Sequence, residues 1–110
     1  MIVPDEREFL ECFNSEPIER SPEDGFWCYR FDDSRGVRLF FSFDTHMDSV
    51  RTALGFGGDD VASVYCEGCR SINIEDDWIT CQFVQPGVET TLTVRLNGDI
   101  SVDWHSLRSA

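Results

Sequence analysis

At Phe26 the apolar residues stop recurring every three or four positions and begin to alternate, and that change of period limits the fold more than any other feature. Before it, Phe9, Leu10 and Phe13 form one stripe at helical spacing, and Asp5, Glu6 and Glu8 crowd the first turns, where the helix dipole favours anions. The spacing predicts a helix over Pro4–Asn14. Residues 15–25 form a polar loop broken by Pro17 and Pro22. After it, period-two segments are separated by turn-forming residues. They predict strands over Phe26–Phe31, Val37–Phe43, Val50–Gly55, Val61–Glu67, Ser71–Glu75, Trp78–Val84, Glu89–Leu96 and Ile100–Trp104. The expected fold is α+β: a single domain over 1–110, with one N-terminal helix packed on an antiparallel meander of six to eight strands spanning 26–105.

Two registers follow from the requirement that apolar faces not be mixed. Placing Phe31 opposite Val37 sets Tyr29 by Leu39 and Trp27 by Phe41. The other face then carries Phe26, Cys28 and Phe40, with Arg30 opposite Arg38. At Asn97-Gly98, a two-residue turn would set Leu96 against Asp99 and Leu92 against Asp103. A three-residue loop, Asn97-Gly98-Asp99, sets Leu96 by Ile100, Val94 by Val102 and Leu92 by Trp104, and is the register expected.

Charge narrows the function. Of 110 residues 21 are acidic and nine basic, all nine being arginine, for a net charge of −12. Such a chain repels nucleic acid and anionic membranes and is drawn to basic partners. No apolar run reaches the ~18 residues of a membrane span, and the Met1–Glu6 start has neither the basic nor the apolar part of a signal peptide, so a cytoplasmic protein is expected. Five cysteines, with Cys12, Cys28 and Cys81 in apolar-rich segments, suit buried free thiols in a reducing compartment better than a disulfide framework.

Few residues fall into patterns that carry reactive chemistry. Cys66-Glu67-Gly68-Cys69 is a C-x-x-C, but zinc needs about four ligands, and only Cys81 or His46 could complete a set. Its strand-rich setting also lacks the helix N-terminus of a redox pair. Ser42, Asp44 and His46 are close in sequence, which does not make them converge in space. The glycines of Gly55-Phe56-Gly57-Gly58 precede Asp59 and Asp60, which would repel phosphate. No calcium-loop pattern is present. No catalytic residue, cofactor or metal is assigned. What remains is carboxylate in two stretches, residues 5–24 and residues 59–77. An excess this large opposes compaction and exceeds what solubility needs, so a cationic partner accounts for it best. The candidate partner-binding residues are Asp59, Asp60, Glu67, Glu75, Asp76, Asp77 and Trp78, with Trp78 as aromatic anchor or, equally, as a core residue.

Gly25-Phe26-Trp27-Cys28-Tyr29-Arg30-Phe31, Gly36–Asp44, Asp48–Thr52 and Ile100–Trp104 together resemble the small acidic immunity proteins of bacterial polymorphic and contact-dependent toxin systems. The resemblance spans about residues 25–105 and is one of size and style, carrying over no contact residue. It implies a cytoplasmic protein, monomeric or weakly dimeric, that occludes the active site of a cognate basic toxin domain, with nucleases and nucleic-acid deaminases among the candidates. No direct contact with nucleic acid or membrane is implied. An acidic interaction or regulatory module not tied to a toxin is the alternative from composition, and a small ligand-binding domain or enzyme a third.

Overall fold

The computed structural model describes residues 1–108. The chain runs α1 (Glu6–Phe13), β1 (Glu19–Ser21), a 3-10 turn (Pro22–Asp24), β2 (Phe26–Asp32), β3 (Val37–Asp44), β4 (Ser49–Phe56), β5 (Asp59–Glu67), β6 (Cys69–Glu75), β7 (Trp78–Gln85), β8 (Val88–Arg95) and β9 (Ser101–Arg108). The fold is α+β, with eight strands from Phe26 onward. The meander divides at Gly68 into a five-stranded sheet, β1-β2-β3-β4-β5, and a four-stranded sheet, β6-β7-β8-β9, antiparallel throughout. Gly68 makes this corner at φ 84°, and a side chain there would crowd the Val84 carbonyl at 3.1 Å.

The inner faces of the two sheets share one core: Tyr29, Phe31, Leu39, Phe41, Phe43 and Val50 from the first, and Ile72, Ile79, Cys81, Phe83, Leu92 and Val94 from the second. A hydrogen bond from Trp104 Nε1 to Thr52 Oγ1 (3.0 Å) ties the layers across the middle. The N-terminal segment closes the side formed by β2 and β6. Ile2 pairs with Ser71 at the β6 edge, and Phe9, fully buried, stacks on Tyr29 at 4.0 Å and on Phe43 at 6.1 Å.

Helix α1 starts where Asp5 caps the Glu8 N–H (2.9 Å) and ends at Asn14 in a left-handed conformation, φ 52°. It is shorter than expected, and only its Phe9–Phe13 edge faces the core. Leu10 and Cys12 are exposed, which corrects the expected stripe and the expected burial of Cys12. The polar loop 15–25 also needs correction, because Glu19–Ser21 pairs with β2. Pro17 and Pro22 bracket three residues that stay extended, and a proline-flanked strand is tolerated at a sheet edge.

The β2–β3 register is two residues from the expected one. Phe31 faces Leu39, Tyr29 faces Phe41, Trp27 faces Phe43, Arg30 faces Phe40 and Asp32 faces Arg38. A slip of two keeps every side chain on its face, so the aromatic inner face survives. The cause is Asp33. Its carboxylate accepts from the N–H of Arg35 (2.9 Å) and Val37 (3.0 Å), and Gly36 at φ 86° closes a tighter turn. On the outer face, Arg30 and Arg38 cover Phe40 with guanidinium carbons 5.8 and 5.4 Å from the ring centroid. The β8–β9 register agrees with the three-residue loop: Leu92 faces Trp104 and Val94 faces Val102.

Asp33 also joins the two sheets, accepting from the Ile100 N–H at 2.9 Å and from the Arg35 guanidinium at 3.0 Å. Its side chain is 1% exposed. Burial pushes its carboxyl up, but the N–H of Ile100, that of Val37, the Arg35 guanidinium and the Arg35 N–H outweigh burial and hold it down to about 2. A carboxylate depressed by folding contributes stability above its ordinary value of 3.8, and that contribution disappears as pH falls through about 2. Asp33→Asn therefore lowers the urea midpoint at pH 7, and the gap from wild type narrows as pH falls from about 4 toward 2. An equal gap at both ends of that range would show that shape, not charge, is what Asp33 supplies.

Candidate partner-binding site

Consecutive antiparallel strands alternate direction, so the β2–β3, β4–β5, β6–β7 and β8–β9 turns come out at one end of the sandwich. Contacts agree: Arg35 bonds the Ile100 carbonyl (3.0 Å) and Asp99 (3.2 Å) across the layers, and Leu96 N–H donates to the Asp77 carbonyl (3.0 Å). Eight acids arrive there: Asp32, Asp33, Asp59, Asp60, Glu75, Asp76, Asp77 and Asp99.

Arginines engage four of the eight. Arg30 holds Asp32, Arg35 holds Asp33 and Asp99, and Arg38 holds Asp60 at 3.1 Å. Asp59, Glu75, Asp76 and Asp77 have no ion pair among the described residues. Beside them Trp78, 38% exposed, lies on the outer face of β7, opposite Arg95, whose guanidinium carbon sits 5.3 Å from the ring centroid. Trp78 is thus a surface residue and not part of the core. Glu75, Asp76, Trp78 and Thr80 border an open notch of about 290 Å³. The Asp76-Asp77 turn is a tight two-residue hairpin with Asp76 at φ 55°.

Of the residues singled out in the sequence, the structure brings Asp59, Asp60, Glu75, Asp76, Asp77 and Trp78 to this end, in separate sheets. Glu67 is at the other end, where β5 finishes; its carboxylate accepts from the Tyr65 hydroxyl at 2.9 Å. Across the described residues Glu6, Glu11, Asp32, Asp33, Asp48, Asp60 and Asp99 make ion pairs, which leaves fourteen of the 21 acids without one. The stretch 5–24 contributes several of the fourteen, so the hairpin end is one of two acidic surfaces.

Both backbone N–H groups of His46 and Met47 donate to Asp44 Oδ1 (2.9 and 3.0 Å), so Asp44 builds a turn. Cys66, next to the end of β5, is half-buried, whereas Cys69 is buried beside Cys81 of β7. The Cys81 thiol bond holds the Cys69 thiol below its ordinary range despite burial, and burial pushes Cys81 well above it. Among the described residues no group of three or more His, Cys, Asp or Glu is placed to hold a metal ion.

A cavity of about 460 Å³ lies under the start of α1, walled by Val3, Pro4, Trp27, Tyr29 and Phe43. Its polar rim is already engaged: Glu6 accepts from Trp27 Nε1 (3.1 Å) and pairs with Arg20 (3.3 Å). The Tyr29 hydroxyl is buried and has no hydrogen-bond partner among the described residues. Among the described residues its lining contains no His, Ser or Cys.

No protein-family model matches the chain, and no curated protein sequence does. A solved structure is similar in fold: a chain of a contact-dependent growth inhibition toxin–immunity protein complex from Klebsiella pneumoniae 342, with a TM-score of 0.85 at 19% identity, over 96% of this chain and 96% of that one.

Proposed function

We propose that this chain is the immunity member of a bacterial toxin–immunity pair: it binds a basic toxin domain with its acidic hairpin end, in the cytoplasm, and covers the toxin's active site. The observation that carries the reading is the fold likeness to a chain of a toxin–immunity complex over nearly the whole length of both. Charge favours the immunity member of such a pair over the toxin. Carboxylates outnumber their internal partners among the described residues, and Asp44, between Ser42 and His46 in the chain, is taken up by the backbone N–H groups of His46 and Met47. The mechanism is occlusion with charge pairing. Asp59, Glu75, Asp76 and Asp77 attract and meet arginine and lysine on the toxin, and Trp78 supplies the apolar anchor. Substrates that are themselves polyanions, as for a nuclease or a nucleic-acid deaminase, would call for a groove of the sign this surface fits. No helix among the described residues is long and apolar enough to cross a membrane.

The test is co-expression with the toxin domain encoded by the adjoining open reading frame. The expected results are rescue of the growth defect, a stable 1:1 complex, and association slowed about tenfold or more between ~50 and ~500 mM salt. A neighbour that is harmless by itself and forms no complex would refute the proposal.

A further inference from the structure

The two sheets expose four edges, and three are guarded. β1 is three residues long and carries Glu19 and Arg20. The β6 edge is occupied by Ile2, whose N–H donates to the Arg70 carbonyl (2.9 Å) and whose carbonyl accepts from the Ile72 N–H (2.8 Å). β9 bears Asp103, His105 and Arg108 along its length. β5 differs: it is nine residues long, its stretch Val61–Cys66 has no charge, and all of it except Cys66 is exposed. Val61 is 68% and Tyr65 54% exposed. Long uncharged edges template pairing with another chain, and proteins ordinarily blunt them with charge, proline or cover. Here acids stand only at the two ends, Asp59 and Asp60 at one and Glu67 at the other.

That placement selects the occupant. Antiparallel pairing of two copies about Ser63 sets Asp59 of each against Glu67 of the other, and parallel pairing sets each acid against its own copy. Like charges directly opposite destabilise a ladder, so self-association is disfavoured. An extended segment with an uncharged middle and arginine or lysine at both ends reverses each of those repulsions. Building on the immunity reading, we infer that β5 is the docking edge for such a strand of the toxin domain, which joins the first sheet as its sixth strand. Alternate side chains of the incoming strand then lie beside Val64 on the inner face and Tyr65 on the outer.

The experiment is hydrogen exchange on the intact chain, free and in complex with the purified toxin domain from the adjoining gene. Amides of residues 61–66 are expected to slow about tenfold or more in the complex, with β1 and β9 unchanged. Two variants add a binding readout. Neighbouring N–H groups point alternately toward β4 and outward, so of Ser63→Pro and Val64→Pro one removes an outward donor. The variant that keeps wild-type circular dichroism and melting is that one, and it should weaken binding about tenfold or more. If both variants unfold, the exchange result decides alone. A complex in which residues 61–66 exchange as in the free chain, or a folded proline variant that binds as wild type, overturns the inference and leaves the immunity reading standing. Sedimentation of the free chain as a dimer with 61–66 protected assigns the edge to a second copy and also overturns it. Absence of any complex overturns the immunity reading itself.

Discussion

Conversion of Asp59, Glu75, Asp76 and Asp77 to their amides in one variant slows association with the toxin domain about a hundredfold at low salt and changes dissociation far less. These four carboxylates make no ion pair among the described residues, so replacing them breaks none of the ion pairs there and the melting curve is expected to stay as in wild type. On the proposed reading they act by long-range attraction, which raises the encounter rate and is screened by salt. The wild-type and variant rates therefore converge as ionic strength rises past the point where the screening length is about 3–10 Å. Trp78→Ala is expected to act on the other constant: if Trp78 is the aromatic anchor proposed above, its loss speeds dissociation, with a cost of about 2 kcal/mol or more. The control is amide substitution of Glu16, Glu19 and Glu23, which belong to the second acidic surface. Stopped-flow association measured across salt separates the two surfaces. If the control set slows binding as much as the hairpin set does, net charge alone governs capture and the hairpin end has no special role.

The second large effect is on stability. Phe9→Ala is expected to cost about 3–5 kcal/mol, the range for deleting a buried aromatic side chain. Phe9 is the one fully buried residue of α1, and its ring is stacked on Tyr29 and Phe43. An eight-residue helix has no independent stability. Loss of this contact therefore frees α1 and bares the β2 side of the core, including the unpartnered Tyr29 hydroxyl. Against a typical total of about 5–15 kcal/mol this is a large fraction. The urea midpoint should fall by about 1.5–3 M. Leu10→Ala, at a position 43% exposed, should move it by less than about 0.5 M. Equal shifts for the two would mean that α1 is not held by Phe9.

How much of this was legible depends on whether the signal was local. The alternation after Phe26 places eight strands, and the Asn97–Asp99 loop length follows from face matching alone, because a one-residue error there would expose Leu92 and Val94. In β2–β3 the error is two residues, which face matching cannot detect. What sets that register is the Asp33 carboxylate reaching the N–H groups of Arg35, Val37 and Ile100, and the last of these is 67 residues away. The division of the meander at Gly68 was hidden for a related reason. Nothing in residues 61–75 says whether β6 pairs with β5; the shape of a shared core decides it. At the site, Asp59 and Asp60 open β5, while Glu75, Asp76 and Asp77 close β6 and form the turn after it. Both hairpins point the same way, so these five acids share an end. Counting strands would have excluded Glu67, since it ends β5 and must lie at the far side. The Arg38–Asp60 pair, which removes Asp60 from the free set, joins residues 22 apart in the chain and has no sequence signal.

Every strand in both sheets pairs only with strands adjacent to it in the chain. Within each sheet the ladders therefore join segments near one another in the chain, and the long closures are those that bring the two inner faces together, as between Thr52 and Trp104. The first sheet is complete in pairing by Glu67, so its ladders can assemble during synthesis while the second is still unmade. Until the second sheet follows, the first keeps Tyr29, Phe41 and Phe43 of the shared core uncovered on one face.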